Sequence, residues 1–243
     1  MPLPSRVHQR RGPSRLDGDK REIGGMASVW DYDIVLMAIS YLTDAMNRHR
    51  AGQGDKPGRA FRPNASEILK FCRRSDGGRQ YEEIEAALQR LKSTTIRIVR
   101  TRPGKGGRPM RSAVGEGLLN RYEVLSYADT GHVAMVEIEV PNWIYREVVE
   151  ANNPEVLTVH PAFFLIEPGI GRFLYRLARR AAGKTQARWA YRTIYERSGS
   201  TGTFKKFTFF LRDLIKSDDL PEYRLAEDAG KEGPVLVMTY RET

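Results

Sequence analysis

A pattern of nine residues occurs twice in this 243-residue chain, 123 positions apart. Ile68, Phe71, Cys72, Arg74, Ser75, Tyr81, Ile84, Leu88 and Leu91 correspond to Tyr191, Ile194, Tyr195, Arg197, Ser198, Phe204, Phe207, Leu211 and Leu214. Each copy reads as a short apolar helix, a polar turn and a second helix whose apolar residues are spaced to form one stripe. Helix, turn, helix is the commonest scaffold for presenting a helix to the DNA major groove. Because most positions match in type and not in identity, the repeat supports two copies of a module and does not name a function.

Two modules in 243 residues predict two domains, and 40% hydrophobic residues allow each to bury a core. The expected division is a flexible basic arm over 1–25, a first domain over 26–152 and a second over 153–243, with the boundary at Asn152-Asn153-Pro154. No apolar run reaches the length of a membrane-spanning helix, and the basic N-terminus has no apolar signal core, so a cytoplasmic location is expected. The single cysteine, Cys72, excludes an internal disulfide framework and fits a reducing compartment. Its place on the apolar stripe makes it buried filler.

The net charge of +10 is concentrated. Gly169 to Lys216 holds 12 basic residues against Glu196 and Asp213, an excess equal to that of the whole chain, and it covers the second helix-turn-helix. Arg97 to Arg111 holds six basic residues and no acid. Such concentration is the footprint of a polyanion binder. Solubility or an anionic lipid surface are the competing explanations, and nucleic acid is preferred because the charge falls on the motif that would use it.

Ser28-Val29-Trp30-Asp31 reads as a capping box opening a long helix, and Asn64 with Glu67 as a second one. Asp76-Gly77-Gly78 turns the chain into a helix from about Arg79 to Lys92. Thr94 to Arg100 reads as a strand, Pro103 to Pro109 as a loop, and Leu118–Leu125 with Val133–Val140 as a hairpin across Asp129-Thr130-Gly131. After a helix from Pro141-Asn142 to about Glu150, His160 to Ile166 is a short helix and Pro168 starts a longer one ending at Gly183. The second helix-turn-helix is expected from Arg188 to about Lys216, followed by a wing from Tyr223–Ala226 and Val235–Tyr240. The expected fold class is α+β, two tandem winged-helix domains, each a helix-turn-helix plus a β-wing.

On the helix from Thr203 to Ile215, the stripe turns Phe204, Phe207, Leu211 and Leu214 inward and Lys205, Lys206, Thr208, Phe209 and Arg212 outward. Thr201 and Thr203 lie at its start, where backbone N–H groups favour phosphate. Arg188 and Arg192 lie on the preceding helix. A solvated amphipathic face would explain the charges, but outward Phe209 is better explained by a base, a sugar or a partner. The first module exposes Arg79 beside Glu82 and Glu83, which would repel phosphate, so its contacts are expected from the basic run containing Arg97, Arg100, Lys105 and Arg108. Gly107-Arg108-Pro109 matches the core of minor-groove hooks, but three residues specify little and a plain loop is the better reading. The second domain is therefore expected to do most base reading, and the first to add wing contacts and self-association.

Catalytic and cofactor signals are not found. Ala182-Gly183-Lys184-Thr185 lacks the glycine five positions before Gly183 that a phosphate loop requires, since that position is Ala178. His8, His49, His132 and His160 are scattered, and acids do not cluster for two metals, so no metal site, cofactor or enzymatic activity is expected.

Seven stretches resemble the plasmid replication initiator protein A family of Gram-negative bacteria. They are Ser28 to Val35, Tyr81 to Lys92 with its Ala87-Leu88-Gln89-Arg90-Leu91 core, Val140 to Tyr145, Glu155 to His160, Arg172 to Arg179, Tyr195 to Ser200 and Asp218 to Leu225. Their order extends over nearly everything from about residue 26 to 243. The resemblance implies tandem winged helices that bind repeated double-stranded DNA sites at an origin. It also implies monomers at the origin, dimers at the protein's own promoter, and recruitment of the host initiator protein and replicative helicase. A winged-helix transcriptional repressor is the alternative within this architecture, and a strand-nicking replication enzyme the alternative from another class.

Overall fold

The computed structural model describes residues 25–75, 77–127 and 133–242. The expected arm up to residue 24, Asp76, the Asp129-Thr130-Gly131 turn, His8 and His132 lie outside the described residues.

Helices and strands are mixed throughout. The chain begins with α1 (Tyr32–Arg50), β1 (Ala60–Phe61), α2 (Ala65–Phe71) and α3 (Gly78–Ser93). A long hairpin of β2 (Thr95–Pro103) and β3 (Pro109–Gly117) follows, then β4 (Arg121–Ser126) and β5 (Val133–Glu139). After α4 (Asn142–Tyr145), a wider helical turn over Arg146–Glu150 and a 3-10 turn over Pro161–Leu165, the second half contains α5 (Gly169–Ala181), β6 (Gln186–Ala190), α6 (Tyr191–Ser198) and α7 (Phe204–Ser217). It closes with β7 (Tyr223–Gly230) and β8 (Gly233–Tyr240).

The two halves share one plan. The first sheet has the order β1-β5-β4 and the second β6-β8-β7, so in both the strand between the first two helices pairs with the last strand. Among the described strands β2 and β3 have no counterpart, and they pair with each other as a separate two-stranded sheet. This corrects the sequence expectation for the basic run, which was a strand followed by a loop: it is a two-stranded ribbon inserted before the β4–β5 hairpin. The strand expected to end at Arg100 continues to Pro103, and the loop over Pro103–Pro109 is the ribbon's tip, where Pro103 pairs with Pro109. Gly106 and Gly107 take φ of 73° and 78°, a conformation that favours glycine, and so let the chain reverse. The expected strand from Leu118 starts only at Arg121. Arg188, expected to open the second helix-turn-helix, lies on β6, opposite Val237.

Local signals account for the starts of α1, α2 and α7. Ser28 and Asp31 exchange backbone-to-side-chain hydrogen bonds of 2.7 and 3.3 Å in the turn before α1. Asn64 and Glu67 form the capping box of α2, with the Asn64 N–H donating to Glu67 Oε2 at 2.8 Å. Thr203 caps α7 by accepting from the Lys206 N–H at 3.3 Å. Gly199, with φ of 67°, ends α6.

Both apolar stripes point inward. Ile68, Cys72, Ile84, Leu88 and Leu91 are buried in one cluster with Ile34, Val35 and Leu42 of α1. Tyr191, Ile194, Phe207, Leu211 and Leu214 are buried in another with Leu174 and Tyr175 of α5. Cys72 is only 3% exposed, and burial, with Asp33 nearby, pushes its thiol up to about 12, so it stays protonated and packs as an apolar group.

The halves are joined at Trp30–Asp33. Arg172 of α5 is 2% exposed and Asp33 is 1% exposed. Arg172 Nη1 donates to both Asp33 oxygens at 2.5 and 2.6 Å, Nε to the Ile166 carbonyl at 3.0 Å and Nη2 to the Phe164 carbonyl at 2.8 Å. Its guanidinium lies over the Trp30 ring at 4.1 Å, and Arg176 lies over Tyr32 at 5.1 Å. From the first half, Arg90 donates to Asp31 at 2.9 and 2.7 Å and Arg74 to the Trp30 carbonyl at 3.0 Å. Burial pushes the Asp31 carboxyl up, but its bonds from Arg90 and Ser28 outweigh this and hold it below the usual carboxylate range. Four consecutive residues thus take an arginine from each of α3, the α2–α3 turn and two turns of α5.

Candidate nucleic-acid interface

α7 is amphipathic because its apolar residues recur at the helical period. With Phe207, Leu211 and Leu214 buried, Lys205, Lys206, Phe209 and Arg212 stand exposed as the sequence predicts, and Thr208 is half-buried. The Thr208 hydroxyl donates to the Phe204 carbonyl at 2.9 Å, so its hydrogen is already used within the helix. Thr201 and Thr203 are exposed at the helix start.

The exposed cations are not equivalent. Arg212 makes a two-bond pair with Glu227 of β7, at 2.8 and 3.0 Å, and the Tyr191 hydroxyl donates to the same carboxylate at 2.8 Å. These bonds hold Glu227 below its usual range. Arg188 pairs with Asp228 at 2.7 Å. Arg192 lies over the Phe204 ring at 3.9 Å, and Arg197 over Trp189 at 4.7 Å. Lys206 stands 5.8 Å from the Phe210 ring centre. Lys205 has no ion-pair partner among the described residues. Arg212 and Arg188 are therefore exposed but ion-paired, a detail the sequence reading did not give, and Arg172, counted in the basic stretch, is internal. Exposed pairs of this kind are worth roughly 0–1 kcal/mol, so an incoming anion could replace Glu227 or Asp228 at small cost.

In the first half, α3 presents the mixed face that the sequence predicts. Arg79 is 88% exposed and lies 3.5 Å from Glu83. Arg90 of α3 is held by Asp31. The positive charge stands on the ribbon. Arg97, Arg102, Arg108 and Arg111 are exposed, without ion pairs among the described residues, and Arg100 and Lys105 occupy backbone positions in β2 and at the tip. Nine-residue strands at about 3.3 Å per residue give an arm of about 30 Å. Arg97 pairs with Gly115 and Thr101 with Arg111, so basic residues run along its length.

Sequence reasoning missed Phe210, which is 45% exposed beside Phe209 at 61%. It also missed Glu227 and Asp228 as partners, because pairing across from a strand to a helix leaves no periodic trace. Among the described residues there is no group of His, Cys, Asp and Glu placed to hold a metal and no helix long and apolar enough to cross a membrane.

Comparison with known proteins agrees with this arrangement. A curated protein of Wigglesworthia glossinidia brevipalpis, named "Putative replication protein", is 28% identical over 203 residues, covering 83% of this chain and 70% of its own. Two crystal structures of domains 2 and 3 of RctB share the fold. One superposes with a TM-score of 0.62 at 13% identity over 89% of this chain and 83% of the crystallised two-domain chain, the other with 0.58 at 13% over 90% and 83%. Residues 16–225 match the family model described as Replication initiator protein A. The chain belongs to the replication initiator protein A family.

Proposed function

We propose that this replication initiator acts by binding repeated double-stranded DNA sites at an origin, through two winged helices, without covalent chemistry of its own. The observation that carries the proposal is the shared plan of the halves: helix, strand, helix, helix and a closing hairpin, with α7 turning a basic, partly aromatic face to solvent. In such a unit the second helix of the pair enters the major groove while the hairpin lies along the backbone. Lys205, Lys206 and Arg212 are the proposed groove residues, and Thr201, Thr203, Arg188 and Arg192 the proposed phosphate contacts. α3, with Glu82 and Glu83, is the weaker reader. The β2–β3 ribbon supplies the first half's contacts instead, since a two-stranded ribbon fits a major groove and its cations suit phosphate. Self-association and contact with the host initiator and helicase belong to the same proposal.

Three measurements test it. Footprinting of the full chain on its origin should protect spaced repeats. A replicon lacking its own initiator should be maintained when the chain is supplied, which a simple repressor would not achieve. Supercoiled origin DNA with Mg²⁺ or Mn²⁺ should remain un-nicked; a covalent protein–DNA adduct would overturn the binding-only mechanism.

The ribbon carries its own prediction. Changing Arg97, Arg102, Arg108 and Arg111 to Gln should weaken binding to every duplex alike and flatten log K against log salt by about 0.9 for each phosphate no longer neutralised. A salt titration with unchanged slope would remove the ribbon from the backbone.

A further inference from the structure

Phe209 lies at the centre of α7's outward face. At about 100° per residue it is opposite the buried Phe207, Leu211 and Leu214, with Lys205 and Lys206 one turn before it and Arg212 and Asp213 one turn after. Phe210 stands at the edge of that face, its ring 5.8 Å from that of Phe209 in an edge-to-face arrangement. Both rings are kept from the core. Phe204 and Phe207, one turn earlier, instead pack on Tyr195 with ring centres at 5.5 and 5.3 Å. Two large apolar side chains exposed side by side on a helix surface are disfavoured unless something covers them. The surrounding charge selects the cover. Lys205, Lys206 and Lys216 outnumber Asp213 around the pair on its own helix, so an acidic, groove-shaped partner fits and an apolar protein surface would bury those charges unpaired. In the major groove, the one apolar group on a base edge is the thymine C5-methyl.

We propose that Phe209 and Phe210 read thymine methyl groups, which makes them specificity-determining residues of the initiator. This rests on α7 being the groove helix. The rings contribute shape and apolar contact, the lysines hold phosphates or purine edges, and preferred sites carry thymines where α7 docks.

The test uses the full chain and duplexes that it selects from a randomised library. The winning duplex is then remade with deoxyuridine for thymidine, which removes methyl groups and leaves charge and base pairing unchanged. Wild-type affinity should fall about fourfold for each contacted methyl, the equivalent of about 0.8 kcal/mol per buried carbon group. Phe209→Ala with Phe210→Ala should bind the selected duplex more weakly and should not distinguish the two DNAs. Equal wild-type affinity for thymine and uracil duplexes overturns the inference, as does a double variant that still distinguishes them. A double variant with unchanged DNA affinity but altered sedimentation makes the pair a protein interface and also overturns it. Lys205→Ala with Lys206→Ala separates this failure from that of the larger reading. If that variant weakens binding while uracil does not, only methyl recognition falls; if it changes nothing, or the library yields no preferred sequence, α7 is not the reader. The thermal midpoint of each variant should stay near that of the wild type, because all four side chains are exposed.

Discussion

Arg172→Met is expected to destabilise the chain by about 3–5 kcal/mol at neutral pH, the usual cost of leaving one partner of a buried pair without the other. The variant strands Asp33, 1% exposed, without its counter-charge, and frees the Ile166 and Phe164 carbonyls. Burial already pushes the Asp33 carboxyl up, and Arg172 opposes that push; without Arg172 the group climbs further. The sign of the pH dependence follows. With its folded pKa raised above the unfolded value, native Asp33 binds its proton more readily than the unfolded chain does. The penalty is therefore complete at neutral pH and shrinks as pH falls through the folded pKa towards the unfolded one, about 3.9. Paired urea titrations of wild type and variant at neutral and acid pH measure the difference. Asp33→Leu combined with Arg172→Met should recover most of the loss, because a packed apolar pair replaces the ion pair. A single variant as stable as wild type at neutral pH would show that water reaches the site.

Lys205→Ala with Lys206→Ala should lower affinity for a selected duplex by about 2–6 kcal/mol, taking about 1–3 kcal/mol for each good base contact removed. Titration by fluorescence anisotropy at fixed salt measures it, and unchanged affinity would take α7 out of the interface. Arg212 behaves differently because it is already held by Glu227. Arg212→Ala removes a cation and also uncovers a carboxylate, so two losses are combined. Glu227→Gln isolates the second: releasing Arg212 should tighten binding to unrelated DNA more than to the selected duplex, narrowing the specificity ratio. An unchanged ratio would mean that Glu227 does not restrain Arg212.

Elements that repeat at the helical period were legible in the sequence. The stripes through Ile84, Leu88 and Leu91 and through Phe207, Leu211 and Leu214 are buried as the spacing requires, because a helix converts sequence period into one face. The cap at Asn64 was legible because capping is local. β3 was not legible. Met110 to Gly117 lies almost wholly on the surface, so no apolar alternation marks it, and only the register with β2 makes it a strand. β6 failed for a related reason: five residues with Trp189 half-buried are too few to separate a strand from the start of the helix beginning at Tyr191.

The sequence by itself determined two amphipathic helix pairs, their inward stripes and the concentration of positive charge, since each follows from residue type at fixed local spacing. Only the tertiary structure decided which of those charges face outward. Arg172 and Arg176 repeat at the same helical spacing as a surface pair, yet Asp33, Trp30 and Tyr32, some 140 residues away, turn them into the joint between the halves. Glu227 and Asp228, brought across from β7, neutralise Arg212 and Arg188, while Lys205 keeps its charge exposed. Charge is a property of a side chain, but whether it is available to a partner depends on what the fold sets within a few ångströms of it.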